Sequence, residues 1–251
     1  MNWLDIYPLV LILAVVLFAG FIQGLVGFGS GLIMVPILVL FLEPKVLVPL
    51  VLLHGLIMNG VLSVSSKRSI QPWKIAPILV AALLGIPAGA LLLMFLPANL
   101  LKIFIGVVIV MFGIFFLSGR SIPVKNETRT SFVVGLISGL LNGSISMSGP
   151  PVILFFSNQK VRKGNFRANL VFYFFLLNIF TMLVFFFLGL ITSNVLIGAG
   201  VLLPAALLGI AIGSLISKKV KEKVFRRIAL VLVIFAGGIS LGSGLLSILP
   251  F

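Results

Sequence analysis

The sequence contains no cysteine, which excludes a disulfide framework, thiolate catalysis and any cysteine-based metal site. It has one histidine, His54, too few ligands for a catalytic zinc and a single candidate base for a serine relay. Carboxylates are almost as scarce. Asp5, Glu43, Glu127 and Glu222 are the only four, and all fall in loops or at the ends of apolar stretches. General acid–base chemistry needs paired ionisable groups within hydrogen-bond reach, and the apolar interior offers none. No Lys or Arg precedes Lys45, so the basic start of a secretory signal is missing and the first apolar run is expected to persist in the mature protein. An enzyme would have almost nothing to work with, and neither cofactor nor metal is expected.

Apolar residues are what the chain has in plenty. Of its 251 residues 61% are hydrophobic and 9% charged, against about half and about a quarter in soluble domains. Lipid is the solvent that suits such a chain. The formal charge of +14 does not indicate nucleic acid, because the 18 Lys and Arg sit in short clusters between apolar runs and form no basic patch on a polar module. Such clusters are what sets the topology of a membrane protein.

Ten apolar segments are expected, near 6–26, 31–42, 46–65, 75–96, 101–117, 131–147, 149–158, 168–190, 194–216 and 227–249. Most approach the roughly 20 residues that span a bilayer as a helix. The second and seventh are too short, so the expectation is an all-α polytopic membrane protein with about eight full spans plus two short or re-entrant broken helices. With loops on alternate sides, one face receives sixteen basic residues, from Lys67, Arg68 and Lys74 through to the run Lys218–Arg227; the other receives Lys45 and Lys102. The positive-inside rule then puts both termini outside the cell membrane. Re-entrant pairing of the short segments leaves that parity unchanged.

An internal duplication accompanies this pattern. Ala81-Ala82-Leu83-Leu84-Gly85-Ile86 recurs as Ala205-Ala206-Leu207-Leu208-Gly209-Ile210, and Gly89 matches Gly213. Ile22, Gly24, Leu25 and Pro36 align with Ile137, Gly139, Leu140 and Pro151, Asn59 with Asn178, Lys102 with Arg226 and Gly113 with Gly237. Each half holds five segments, an odd number, so the second half enters from the opposite face. The expected organisation is an inverted repeat of 1–118 and 131–251 joined by a cytoplasmic linker, 119–130.

Candidate chemistry lies in two glycine- and serine-rich breaks ahead of the short segments. The first contains Gln23, Gly27, Phe28, Gly29, Ser30 and Gly31, the second Asn142, Gly143, Ser144, Ser146, Ser148 and Gly149. Helix N-termini bind anions through free N–H groups and the helix dipole, without a fixed cation. Irregular backbone at membrane depth is tolerated where it is buried or lines a wet cavity. Small-residue packing with a kink is the competing explanation, and it is the favoured one for Gly24, Gly139 and the pairs Gly85/Gly89 and Gly209/Gly213. His54 reads equally as a proton carrier or anion donor and as a neutral histidine bonded between helices. Asn59 and Asn178 read as substrate contacts or as interhelical bonds. Arg167, at the cytoplasmic mouth of the eighth segment, either attracts anions or anchors to headgroups.

The stretches AGFIQGLVGFGSGLIMVPIL (19–38), VGLISGLLNGSISMSGPPVILFF (134–156) and FRANLVFYFFLLN (166–178) resemble the sulfite exporter TauE/SafE family, and the resemblance extends over essentially the whole chain. It implies a permease, usually an exporter, for small anions such as sulfite, sulfoacetate or related organosulfonates, with the site carried by the two breaks. Asn142 falls where Gly27 stands and Ile145 opposite Ser30, so the site is not expected to be two-fold symmetric. A passive anion channel and a non-transporting membrane scaffold are the alternatives. The partners implied are a small anionic substrate and the bilayer, with no nucleic acid; a homodimer is one option among oligomeric states.

Overall fold

A computed structural model describes residues 6–117, 127–158 and 163–217. The expected tenth segment, most of the linker, the Lys218–Arg227 cluster and the pairings of Lys102 with Arg226 and Gly113 with Gly237 involve residues outside these. The described residues form nine α-helices and one short 3-10 turn: α1 (Ile6–Val26), α2 (Ser30–Leu38), α3 (Pro44–Ser66), α4 (Pro72–Phe95), α5 (Ala98–Leu117), α6 (Glu127–Ile145), α7 (Gly149–Asn158), α8 (Lys163–Phe187) and α9 (Ser193–Ile216). Each coincides with an expected segment. The boundaries differ in two places that matter. Residues 127–130, assigned to the linker, form the first turn of α6, where Ser131 Oγ donates to Glu127 O. Helix α8 begins before residue 168, so Arg167 stands within it.

Local chemistry accounts for the ends. Pro44 and Pro72 open α3 and α4 at the first helical position, where a missing N–H costs nothing. Thr192 caps α9 by accepting from Val195 N. Helix α8 closes at Gly189, which takes a left-handed conformation, with Leu190 N returning to Phe185 O.

The interior is mostly apolar but includes polar side chains, and the surface is apolar too. Gln23, His54, Asn59, Ser138, Asn142, Ser144, Asn178 and Thr181 are buried, whereas Trp73, Phe95, Phe187 and Leu215 are among the most exposed side chains. Buried polar and outward apolar groups suit a protein solvated by lipid. Five helices among the described residues are long and apolar enough to cross a membrane, namely α1, α3, α4, α8 and α9. The sequence led us to expect about eight. Helix α5 supplies a shorter apolar stretch, Ala98–Phe112, and α6 is diluted by Glu127, Arg129, Asn142 and several hydroxyl residues.

Helices α3 and α8 cross at the centre, flanked by an α1–α9 pair on one side and an α4–α6 pair on the other. Both flanking pairs approach closely through glycine. Gly20 and Gly24 of α1 face the carbonyls of Ala206 and Ile210 on α9, while Gly209 and Gly213 face Leu17 and Phe21. In the other pair Gly139 and Gly143 of α6 face Ala82 and Ile86 on α4, while Gly85 and Gly89 face Leu136 and Leu140. A Cβ at Gly20 would stand 2.6 Å from Ala206 O, so only glycine lets the two backbones meet. The packing explanation thus holds for these glycines.

The two contact sets correspond residue for residue. Moving 119 residues along the chain carries α1 onto α6, and 124 residues carries α4 onto α9. This register differs from the sequence alignment, which matched Gly24 to Gly139; the contacts match Gly24 to Gly143, one helical turn further on. Gly135, Gly139 and Gly143 recur every four residues, so two alignments score alike until the helix end is known.

Candidate functional site

Each short helix follows a backbone break. At the end of α1, Gly27 (φ 93°) donates its N–H to Gln23 O, and Gly29 (φ 104°) leads into α2. At the end of α6, Ser146 holds the left-handed conformation (φ 54°) that glycine holds at the first break. Its N–H returns to Asn142 O and that of Met147 to Leu141 O, which satisfies carbonyls at the helix C-terminus. A left-handed β-substituted residue is strained and persists where its surroundings hold it. Here Ser146 Oγ donates to Val48 O on α3 at 2.9 Å.

The breaks touch: a Cβ at Gly31 would stand 2.5 Å from Ser146 O. Between them, α3 and α8, lies a cavity of about 50 Å³, larger than a single water requires. Eleven of the residues named from the sequence line it: Gln23, Phe28, Gly29, Ser30, Gly31, Asn59, Asn142, Ser146, Ser148, Gly149 and Asn178. The first residues of both α2 and α7 are among them, so two helix N-termini open on one space.

Two hydrogen-bond chains organise the polar side chains. In the first, Ser30 N donates to Gln23 Oε1 (3.0 Å) and Gln23 Nε2 donates to Asn59 Oδ1 (2.6 Å). One first-turn amide of α2 is therefore held by a side chain of the preceding helix; Gly29 itself supplies no side-chain cap. In the second, Thr181 Oγ1 donates to Leu177 O (2.9 Å), while Asn142 Nδ2 donates to Thr181 Oγ1 (2.8 Å) and Asn178 Oδ1 (3.2 Å). A third contact fixes the start of α7: Tyr173 Oη donates to Ser138 Oγ, which donates to Ser148 O.

The structure separates five named residues from this group. Gly143 packs on α4, where a Cβ would stand 2.9 Å from Ala90 N. Ser144 donates to Leu140 O on its own helix. Gly27 is filled from behind by Arg167 and Val171, with Arg167 Cγ 2.7 Å from where its Cβ would be. His54 is buried, its Nδ1 2.8 Å from Leu50 O. A carbonyl only accepts, so Nδ1 carries the proton and Nε2 is left without a partner among the described residues. Arg167 is not an open mouth. Its Nη2 donates to Gly24 O (2.6 Å) and Nη1 lies 3.5 Å from Ser217 Oγ, so the guanidinium caps the C-terminal end of α1.

Sequence reasoning missed six lining residues: Leu32, Val51, Leu52, Gly55, Met147 and Phe174. It also missed Thr181. Gly55 was detectable as the small residue one turn before Asn59, and Thr181 as the hydroxyl three residues after Asn178.

No solved structure is significantly similar to the chain. A protein of Cupriavidus necator named "Probable sulfite/organosulfonate exporter TauE" is 25% identical over 236 residues, covering 92% of this chain and 90% of that protein. The family described as sulfite exporter TauE/SafE matches residues 12–240. With a match across nearly all of a multi-pass apolar helical chain, the protein belongs to the sulfite exporter TauE/SafE family, whose members are transporters and not enzymes.

Proposed function

We propose that the chain is a secondary transporter that moves sulfite, sulfoacetate or a related small organosulfonate outward by alternating access. The cavity between the two breaks is its binding site. The observation that carries this reading is the opening of two helix N-termini, those of α2 and α7, onto one cavity that Gln23, Asn59, Asn142 and Asn178 also line. The name of the C. necator relative supports the cargo class.

An inverted repeat of 1–118 and 131–251 supplies the mechanism. Its support is the equivalence of the α1–α9 and α4–α6 pairs, together with matching positive-φ positions at Gly27 and Ser146. Two halves of opposite orientation provide two similar packings, each opening the central cavity to one side. Both termini then lie outside, with the basic loops in the cytoplasm. Outward movement of a monovalent anion from a negative interior gains about 2.3 kcal/mol per 100 mV, so uniport suffices without a coupling carboxylate.

The test is flux from proteoliposomes loaded with labelled sulfite. Saturable efflux, accelerated by unlabelled sulfite on the other side, is expected of alternating access. Non-saturating flux without such exchange would identify a channel, and no flux above empty vesicles would end the transport reading.

A further inference from the structure

The two hydrogen-bond chains have a fixed direction, because each is anchored on a backbone group that cannot reverse its role. Ser30 N–H can only donate, so the Gln23 atom facing it is the oxygen, and its nitrogen must face Asn59. Asn59 consequently meets Gln23 through Oδ1. In the other chain Leu177 C=O can only accept, which commits the Thr181 hydroxyl proton to it. Thr181 Oγ1 is then an acceptor for Asn142, whose Nδ2 must face both Thr181 and Asn178. Asn178 likewise meets it through Oδ1.

Both asparagines therefore have their oxygens occupied and their NH2 groups left over. Each residue is more than nine-tenths buried and lines the cavity, and neither nitrogen bonds to another described residue. The two nitrogens converge: the point where a Cβ on Gly55 would sit is 2.9 Å from Asn178 Nδ2 and 4.0 Å from Asn59 Nδ2. Glycine at 55 puts no side chain between them.

Resting on the transport reading above, we infer that Asn59 and Asn178 form a paired amide clamp that seats a small oxyanion over Gly55, one N–H donor from each half of the chain. The ligand class follows from the chemistry. A deprotonated sulfite or sulfonate head carries several oxygens that only accept, matching two uncharged donors and the first turns of α2 and α7. An ammonium group would meet donors with donors. A chloride ion has no separate oxygens to divide between the two nitrogens. Because the clamp holds no fixed charge, release need not break an ion pair.

The experiment uses the full-length protein in detergent, with calorimetric titration of sulfite, methanesulfonate and chloride. Wild type is expected to bind both oxyanions and to bind chloride at least tenfold more weakly. Asn59→Asp and Asn178→Asp keep the oxygen that accepts from Gln23 or Asn142 but replace the donor with a carboxylate. Each is expected to weaken methanesulfonate binding tenfold or more at pH 8, with partial recovery at lower pH as an O–H donor returns. Asn59→Leu and Asn178→Leu, close in volume and without any donor, are expected to lose binding at every pH. Gly55→Ala, whose methyl would crowd Asn178 Nδ2, is expected to weaken binding several-fold. Leucine variants that melt cooperatively and bind within twofold of wild type overturn the clamp while leaving the transport reading intact. A folded wild type that binds neither oxyanion overturns both.

Discussion

The two breaks solve one geometric problem in different ways. Each ends a helix with a left-handed residue and starts a short helix three residues later, Gly27 before Ser30 and Ser146 before Gly149. The first uses glycine and is braced from outside: Arg167 of α8 fills the space behind Gly27 and caps Gly24 O. The second uses serine and braces itself through its hydroxyl on Val48 O. Shifted by 119 residues, Val48 corresponds to Arg167. One central-helix position therefore holds each break, as a cationic side chain at one and as a backbone acceptor at the other. A turn that costs strain persists in either half only because the opposite central helix supports it.

The largest expected effect of breaking this comparison is at Gly27. Alanine there adds left-handed strain of about 1–3 kcal/mol. It also forces a methyl to within 2.7 Å of Arg167 Cγ and 2.9 Å of Val171 Cγ2, an overpacking cost of about 1–3 kcal/mol. Gly27→Ala should therefore lower stability by about 2–6 kcal/mol in denaturant unfolding of the purified protein. Gly29→Ala shares the strain (φ 104°) but meets only Ile22 Cγ2 at 3.6 Å, and should cost markedly less. Equal losses at 27 and 29 would mean that Arg167 and Val171 yield readily and do not brace the turn.

A smaller effect is expected from removing the brace itself. Arg167→Met leaves Gly24 O without its donor and takes a cation from a helix C-terminus. Those losses are worth about 1–3 kcal/mol together. Arg167→Lys keeps the charge but lacks the fork that spans Gly24 O and Ser217 Oγ, so it should recover only part of the loss. Thermal melting of the two variants beside wild type checks this. A lysine variant as stable as wild type would show that charge alone suffices.

Much of this was legible in the sequence, for reasons that differ between the helices and the site. The helices follow from apolar length, which lipid imposes directly, so nine expected segments coincide with nine helices among the described residues. The breaks follow from clustered glycine and serine. Helical register did not follow, because glycines repeating every four residues in α6 admit two alignments, and the interhelical contacts with the positive φ at Ser146 decide between them. The site is not two-fold symmetric in the structural register either, where Phe28 corresponds to Met147, Ser30 to Gly149 and Gly55 to Phe174. In the structural register Gln23 corresponds to Asn142, and each reaches the asparagine 36 residues later. Thr181 adds a further difference, its counterpart in the first half being the buried Leu62. Gln23 Nε2 donates to Asn59, whereas Nδ2 of the shorter Asn142 donates to both Asn178 and Thr181. Pairings of that kind depend on which helices lie side by side, and no local pattern records it.

The smallest expected effect tests the comparison most finely. Ser146→Gly makes the second break resemble the first. Glycine relieves left-handed strain worth about 1–2 kcal/mol, but it costs about 0.5–1 kcal/mol in chain entropy. The lost bond to Val48 O costs about 0.5–1.5 kcal/mol. These terms nearly cancel, so the variant should unfold within about 1 kcal/mol of wild type. Ser146→Ala keeps the strain and loses the bond, and should be the less stable of the two. If the glycine variant instead loses more than about 2 kcal/mol, the hydroxyl on Val48 holds the second break as firmly as Arg167 holds the first. The two halves would then differ in the chemistry of the brace and not in how much each break depends on it.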